Sequence, residues 1–271
     1  MTGAALVDVI GGWVDQRIRG TAPENLPPII GVSGAQGSGK STLARDLAER
    51  FGAAVLSLDD VYLTRAERAT MARQVHPLFV TRGPPGTHDL NLLHRVLDRL
   101  RMARPGDTTP LPRFDKLADD RADVSTWPAI EGRPRAIVLE GWCLGAAPQT
   151  QAALTAPVNA LERREDAQGV WRRRVNAALA EDYVGVTRRL DALIFLQAPG
   201  FDVVLDWRGQ QEAALTGVAL SSERRDRLAR FIQHYERLTR HMLAGGIAPD
   251  LTVDLDADRR IVAVRPGVET A

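Results

Sequence analysis

Residues 34–42 read Gly-Ala-Gln-Gly-Ser-Gly-Lys-Ser-Thr and fit the spacing G-x-x-x-x-G-K-[ST] without a gap. No other stretch of the chain limits its fold so tightly. The pattern needs a loop whose backbone N–H groups converge on an anion, which requires the backbone freedom and close approach that glycine permits. It also needs a strand before the loop and a helix after it, with the positive end of the helix aimed at the same anion. Residues 29–33 are a short apolar run of the buried-strand kind, and 41–50 carry a helical pattern. In that context Gly34, Ala35, Gln36, Gly37, Ser38, Gly39, Lys40, Ser41 and Thr42 are expected to hold nucleotide phosphates. Lys40 would reach the β- and γ-phosphates, and the Ser41 hydroxyl would ligate Mg²⁺.

The rest of the chain repeats the alternation. Buried-type strands are expected at 53–58, 136–139, 193–196 and 251–255, in addition to 29–33. Helical patterns lie at 5–19, 64–76, 170–183 and 222–243. Another helix follows Asp89, a residue suited to capping it, and one more runs from Pro199 through Trp207 to Leu215. Residues 81–88 are a Gly/Pro loop, and 104–134 are irregular and proline-bearing, as functional surface loops are. The expectation is an α/β fold with a mainly parallel, five-stranded sheet flanked by helices. It would form one domain over 1–271, with a helical extension at 1–28, an acceptor-side insertion at 81–134 and a lid-type helix at 199–217.

Composition narrows the setting. With 35 basic and 34 acidic residues the net charge is +1, which gives no electrostatic case for nucleic acid or a membrane surface. The run Arg172-Arg173-Arg174 reads as a solvated helix face. No apolar stretch is long enough to span a bilayer, and the start of the chain, with Asp8, does not look like a signal peptide. A single cysteine, Cys143, fits a reducing cytoplasm, and the five histidines have no zinc-site spacing. Only two of the 35 basic residues are lysines, Lys40 and Lys116, which draws attention to the second.

A phosphate loop alone does not say where the γ-phosphate goes. There is no N-K-x-D segment of the kind that selects guanine, and the third strand ends in a lone Glu140 before Gly141 rather than in the acid pair of a motor. After the second strand, Asp59 and Asp60 stand where a parallel sheet delivers side chains to its binding edge. An acid there can accept the proton of an attacking hydroxyl, or it can cap the next helix. Both roles can hold at once, one acid for each, with catalysis favoured for Asp59.

The order of P-loop, D-x-x-Y and L-E-G resembles the uridine kinase, phosphoribulokinase and pantothenate kinase group of P-loop kinases. More narrowly, SLDDVYLT, RGPPGTHDL, LPRFDK, LEGW and LQAPGFDVVLDWRGQQE resemble the plant-type D-glycerate 3-kinase family and its bacterial relatives, over residues 29–240. The resemblance implies transfer of phosphate from ATP, with Mg²⁺, to a hydroxyl of a small metabolite, D-glycerate or a similar hydroxy acid. It implies Asp59 as the base, Glu140 on Mg²⁺ and Arg208 as a lid arginine closing on the phosphates. It also puts Asp60, Tyr62, Arg82, His88, Asp89, Arg113, Asp115 and Lys116 in motifs on the acceptor side. Kinases for nucleosides, pantothenate or sugars, and a nucleotide switch or chaperone, are the competing readings.

Overall fold

The computed structural model describes residues 3–20, 26–218 and 221–267. Residues 1–2 and 21–25 of the expected N-terminal extension lie outside that set. In chain order the first elements are α1 (Gly3–Arg19), β1 (Ile29–Gly34), α2 (Lys40–Phe51), β2 (Ala53–Ser57), α3 (Arg65–Gln74) and α4 (Leu90–Met102). Four short strands follow: β3 (Thr108–Pro110), β4 (Phe114–Asp115), β5 (Asp120–Arg121) and β6 (Ala129–Glu131). Then come β7 (Ala136–Glu140), α5 (Ala160–Glu165), α6 (Val170–Ala178), α7 (Val184–Thr187) and β8 (Ala192–Gln197). The last described elements are α8 (Val203–Thr216), α9 (Ser222–Leu243), β9 (Leu251–Leu255) and β10 (Ile261–Pro266).

The main sheet has the order β10-β9-β8-β1-β7-β2, and every pair but one is parallel. The five expected strands are all present. The expected count of five is corrected to six, because β10 pairs antiparallel with β9 at the edge. β10 is largely exposed along its length, so it lacks the continuous apolar run that marks the others, β2 on the opposite rim included. Val262 on β10 is 68% exposed. The irregular segment 104–134 also carries structure of its own, two small antiparallel pairs, β3 with β6 and β4 with β5.

Side chains of successive residues on the buried strands go to opposite faces, as the strand period requires. Ile29, Ile137, Leu193 and Phe195 join a core with α4, while Ile30, Val138, Ile194 and Leu196 join one with α1, α2 and α8. The long helix α9 serves both: Leu228 and Ile232 enter the second core, and Tyr235, Leu238 and Met242 enter the first. Helix α1 lies on α2, where Arg50 donates from Nη1 to the Val7 carbonyl at 3.2 Å.

The neighbours β1 and β8 send their chains in opposite directions, β1 toward β2 and β8 toward β9. A crevice opens at the carboxyl ends of two such strands, and it is where open α/β sheets bind ligands. The phosphate loop leaves β1 at this point, and α8 with Arg208 follows β8.

Candidate active site

A cavity of about 420 Å³ occupies the crevice, and its walls come from the phosphate loop, the ends of β2 and β7, α8, α9 and the β4–β5 hairpin. Within the loop, Gly37 and Gly39 have φ of +78° and +96°. A Cβ on Gly37 would stand 2.7 Å from Cβ of Trp207, a buried side chain of α8, so no other residue fits there. Helix α2 begins at Lys40, which directs its N-terminus into the cavity. The Lys40 ammonium donates to the Ala35 carbonyl at 2.9 Å and is only 8% exposed. Burial lowers its pKa, against the pull of the Glu140 and Asp59 carboxylates. Both amide atoms of Gln36, a residue that lines the cavity, are buried without hydrogen-bond partners. Orphaned polar atoms of this kind call for a bound polar group.

Strand register sets the acids side by side. Glu140 at the end of β7 is in register with Val32 of β1 and Ser57 of β2. The hydroxyls of Ser57 and Ser41 both donate to Glu140 Oε1, at 2.6 and 3.1 Å. Burial raises the Glu140 pKa, opposed by Lys40 and by those two hydroxyls. A hydroxyl and a carboxylate beside a phosphate loop are the hard oxygen donors that Mg²⁺ takes, with phosphate oxygens and water completing its shell. The donor set therefore fits that metal, and the orphaned loop atoms fit a nucleotide's phosphates.

Ser57 also accepts from the Asp59 backbone N–H at 3.1 Å, opening a 3₁₀ turn over Leu58–Asp60. That turn sends the two aspartates to different places. Asp59 faces the cavity, where it accepts from the Tyr62 hydroxyl at 2.5 Å and from Lys116 Nζ at 2.8 Å. Burial alone would raise its pKa, but the Lys116 charge and these two hydrogen bonds outweigh it and hold the carboxyl well below its ordinary range. Asp60 turns away to Arg113, at 3.1 Å, and to the Phe114 N–H, at 3.3 Å. Burial raises its pKa despite the Arg113 charge.

The other acceptor-side residues divide as sharply. Tyr62, Arg82 and Lys116 line the cavity. Arg82 pairs with Asp119, which Arg68 also holds, at 2.7 Å. His88, by contrast, is buried behind Tyr62 with ring centroids 4.7 Å apart, and its Nδ1 meets the Tyr183 hydroxyl. Asp89 caps α4 through the Leu92 N–H at 2.8 Å and pairs with Arg121 at 3.0 Å. Asp115 accepts from the N–H groups of Leu117 and Ala118 in the β4–β5 turn. His88, Asp89, Asp115, Asp60 and Arg113 thus shape the walls from behind and do not line the cavity.

Arg208 lines the side of the cavity formed by α8, donating to Gln211 at 2.6 Å, and its Nε is buried without a partner. Several cavity residues have no motif to announce them. Tyr235 and Phe231 come from α9. Arg259 arrives from the β9–β10 turn, donating to the Gly37 carbonyl at 2.6 Å and lying 5.0 Å over the Trp207 ring. Ser57 stands in the SLDDVYLT segment, and the structure shows it tying the two acids together.

The chain matches no protein-family model. It is 34% identical over 227 residues to the uncharacterized kinase mug58 of Schizosaccharomyces pombe, covering 79% of this chain and 80% of that one. It is 33% identical over 259 residues to the chloroplastic D-glycerate 3-kinase of Arabidopsis thaliana, covering 87% of this chain and 54% of the plant protein's length. In fold it is similar to D-glycerate 3-kinase from Cryptococcus neoformans, with a TM-score of 0.77 and 23% identity over 96% of this chain and 99% of that one. With these likenesses, a mostly parallel sheet and a phosphate loop at its switch point, the chain belongs to the P-loop kinase family of mug58 and D-glycerate 3-kinase, and it is a small-molecule kinase.

Proposed function

We propose that this chain phosphorylates a hydroxyl of D-glycerate, or of a similarly small hydroxy acid, using ATP and Mg²⁺. The observation that carries the reading is the position of Asp59, which opens on the same cavity as Lys40 and Glu140, with Arg82 and Lys116 beside it. The phosphate end of that cavity suits ATP, and two cations at the other end suit a carboxylate-bearing acceptor. The plant relative's name supplies the specific acid. Ser41 and Glu140 would hold Mg²⁺, which supplies neutralisation of the β- and γ-phosphate charge when bound.

The remaining roles belong to the chain's own groups. Asp59 orients the acceptor hydroxyl and takes its proton as the oxygen bonds to the γ-phosphorus and the bond from γ-phosphorus to the β,γ-bridging oxygen breaks. Lys40 and Arg208 stabilise the charge on the transferring group, with α8 acting as the lid that brings Arg208 in. The free thiol of Cys143 fits a reducing cytoplasm as the setting. Among the described residues no helix is long and apolar enough to cross a membrane.

The test is ADP release across small hydroxy acids, sugars, nucleosides and pantothenate, with the phosphorylated product identified by mass. A hydroxy acid is expected to give the highest kcat/KM. A nucleoside or sugar in that place would replace the acceptor, and nucleotide hydrolysis that no acceptor stimulates would favour a switch.

A further inference from the structure

Both cations at the acceptor end of the cavity are already paired within the chain. Lys116 donates to Asp59 at 2.8 Å and Arg82 pairs with Asp119. Each therefore holds an internal carboxylate where an acid acceptor would offer its own. The two pairs belong to one device, because Lys116 and Asp119 both lie in the turn of the β4–β5 hairpin. Asp119 is its anchor: it takes a positive φ of 55° and accepts from Arg68 as well as Arg82. Lys116 is its reaching arm, next to Leu117, which is 99% exposed.

This arrangement is at odds with an active base. Both oxygens of Asp59 accept hydrogen bonds, Oδ1 from Tyr62 and Oδ2 from Lys116. A carboxylate so stabilised as the anion has little tendency to take a proton. The Lys116 side chain is 55% exposed and that of Asp59 38%, and half-exposed ion pairs are weak enough to exchange partners. The Tyr62 bond, by contrast, lies inside the wall and stays.

We propose that Lys116 masks Asp59 in the free enzyme and that the carboxylate of the acceptor draws Lys116 away, so that the base is available only when an acceptor is seated. The inference rests on the reading above that Asp59 is the base. Its chemical purpose is to keep water from standing in for the acceptor. Water beside an unmasked Asp59 would attack the γ-phosphorus, give its proton to Asp59, break the same β–γ bridge and release inorganic phosphate in place of a phosphorylated product. An enzyme that binds ATP in the open cavity needs some such coupling of catalysis to the right nucleophile. Lys116 acts through Asp59 and is therefore a positioning residue.

The test is ATP hydrolysis without acceptor, followed as phosphate release. Lys116→Met is expected to raise it about tenfold or more, below the 10²–10⁴ that a positioned base gives an aligned hydroxyl because water is not clamped. Lys116→Arg, which keeps the cation, should restore the low rate, and adding Asp59→Asn to Lys116→Met should abolish the rise. Wild-type enzyme supplies a second arm that needs no variant. Propionate, a carboxylate with no hydroxyl to phosphorylate, should stimulate hydrolysis, and propionamide should not. A rise in Lys116→Met with no response to propionate would overturn release by a carboxylate while leaving the mask, and the hydroxy-acid reading would stand or fall on the acceptor screen. Stimulation by propionate with no rise in Lys116→Met would overturn the mask and leave the carboxylate site. No change in either arm would overturn the proposal whole.

Discussion

Asp59→Asn keeps the shape of the side chain and removes its charge and its basicity. The Tyr62 hydroxyl can still donate to the amide oxygen, so the local geometry has a reason to persist. Lys116 loses its partner, but its side chain is more than half exposed and rehydrates, so the fold should be little affected. Nucleotide affinity should change little as well, because Lys40 keeps the attraction of Glu140. What is lost is proton acceptance during transfer, a contribution of about 10²–10⁴ in rate, or about 3–5 kcal/mol of barrier. Asp60→Asn removes a carboxylate that faces Arg113 and the Phe114 N–H and does not line the cavity, so its effect should stay below about tenfold. The assay is single-turnover transfer to the acceptor found in the screen, at saturating ATP, with ATP binding measured by calorimetry. Full activity in Asp59→Asn with loss only in Asp60→Asn would move the base by one residue. Full activity in both would remove this strand end from the chemistry.

Glu140→Gln should lower activity and raise the magnesium concentration needed for half-maximal rate, and an unchanged magnesium titration would refute a metal role for that carboxylate. Arg208→Ala should reduce kcat far more than ATP affinity, by about 10³-fold or more, since charge stabilisation of this kind acts in the transition state. Weakened ATP binding at normal kcat would make Arg208 a ground-state contact instead. Burial holds His88 and His234 each at about 4, against 6.5 for a free imidazole. The folded values lie below the unfolded one, so the unfolded chain takes up the proton first; the associated stability is complete above about pH 6.5 and is lost as pH falls toward 4. Each histidine should account for up to about 3 kcal/mol of that loss, and equal urea unfolding free energies at pH 7 and pH 4.5 would refute it.

The residues legible in sequence are those whose neighbours along the chain already define their chemistry. The phosphate loop carries its strand and helix with it, Glu140 terminates a fully buried interior strand, and Asp59 follows an apolar run that forms the parallel edge strand β2. β10 escaped because it is mostly wet: IVAVRP mixes exposed valines with an arginine and a proline, and it pairs antiparallel with β9 alone. Tyr235 is hidden differently. In sequence it is one more apolar position on the amphipathic helix α9, and only packing brings its hydroxyl to the Arg82 carbonyl at 3.1 Å and its ring to the cavity. His88 and Asp89 show the converse. Their motif lies next to the site, and the residues themselves build the turn and the helix start that hold Tyr62 and Arg82 in place.

The contact between Arg259 and the Gly37 carbonyl joins residues 222 positions apart. Trp207 lies between them, its ring under the Arg259 guanidinium and its indole N–H on the Ala257 carbonyl at 2.7 Å. The phosphate loop is therefore synthesised 222 residues before the arginine of the β9–β10 turn that supplies one of its walls. Contacts at such separation must bear the loop-closure entropy of most of the chain before they form. Nucleotide binding should accordingly be among the final properties acquired during folding, and ATP present at that stage would stabilise the completed sheet rather than any earlier intermediate.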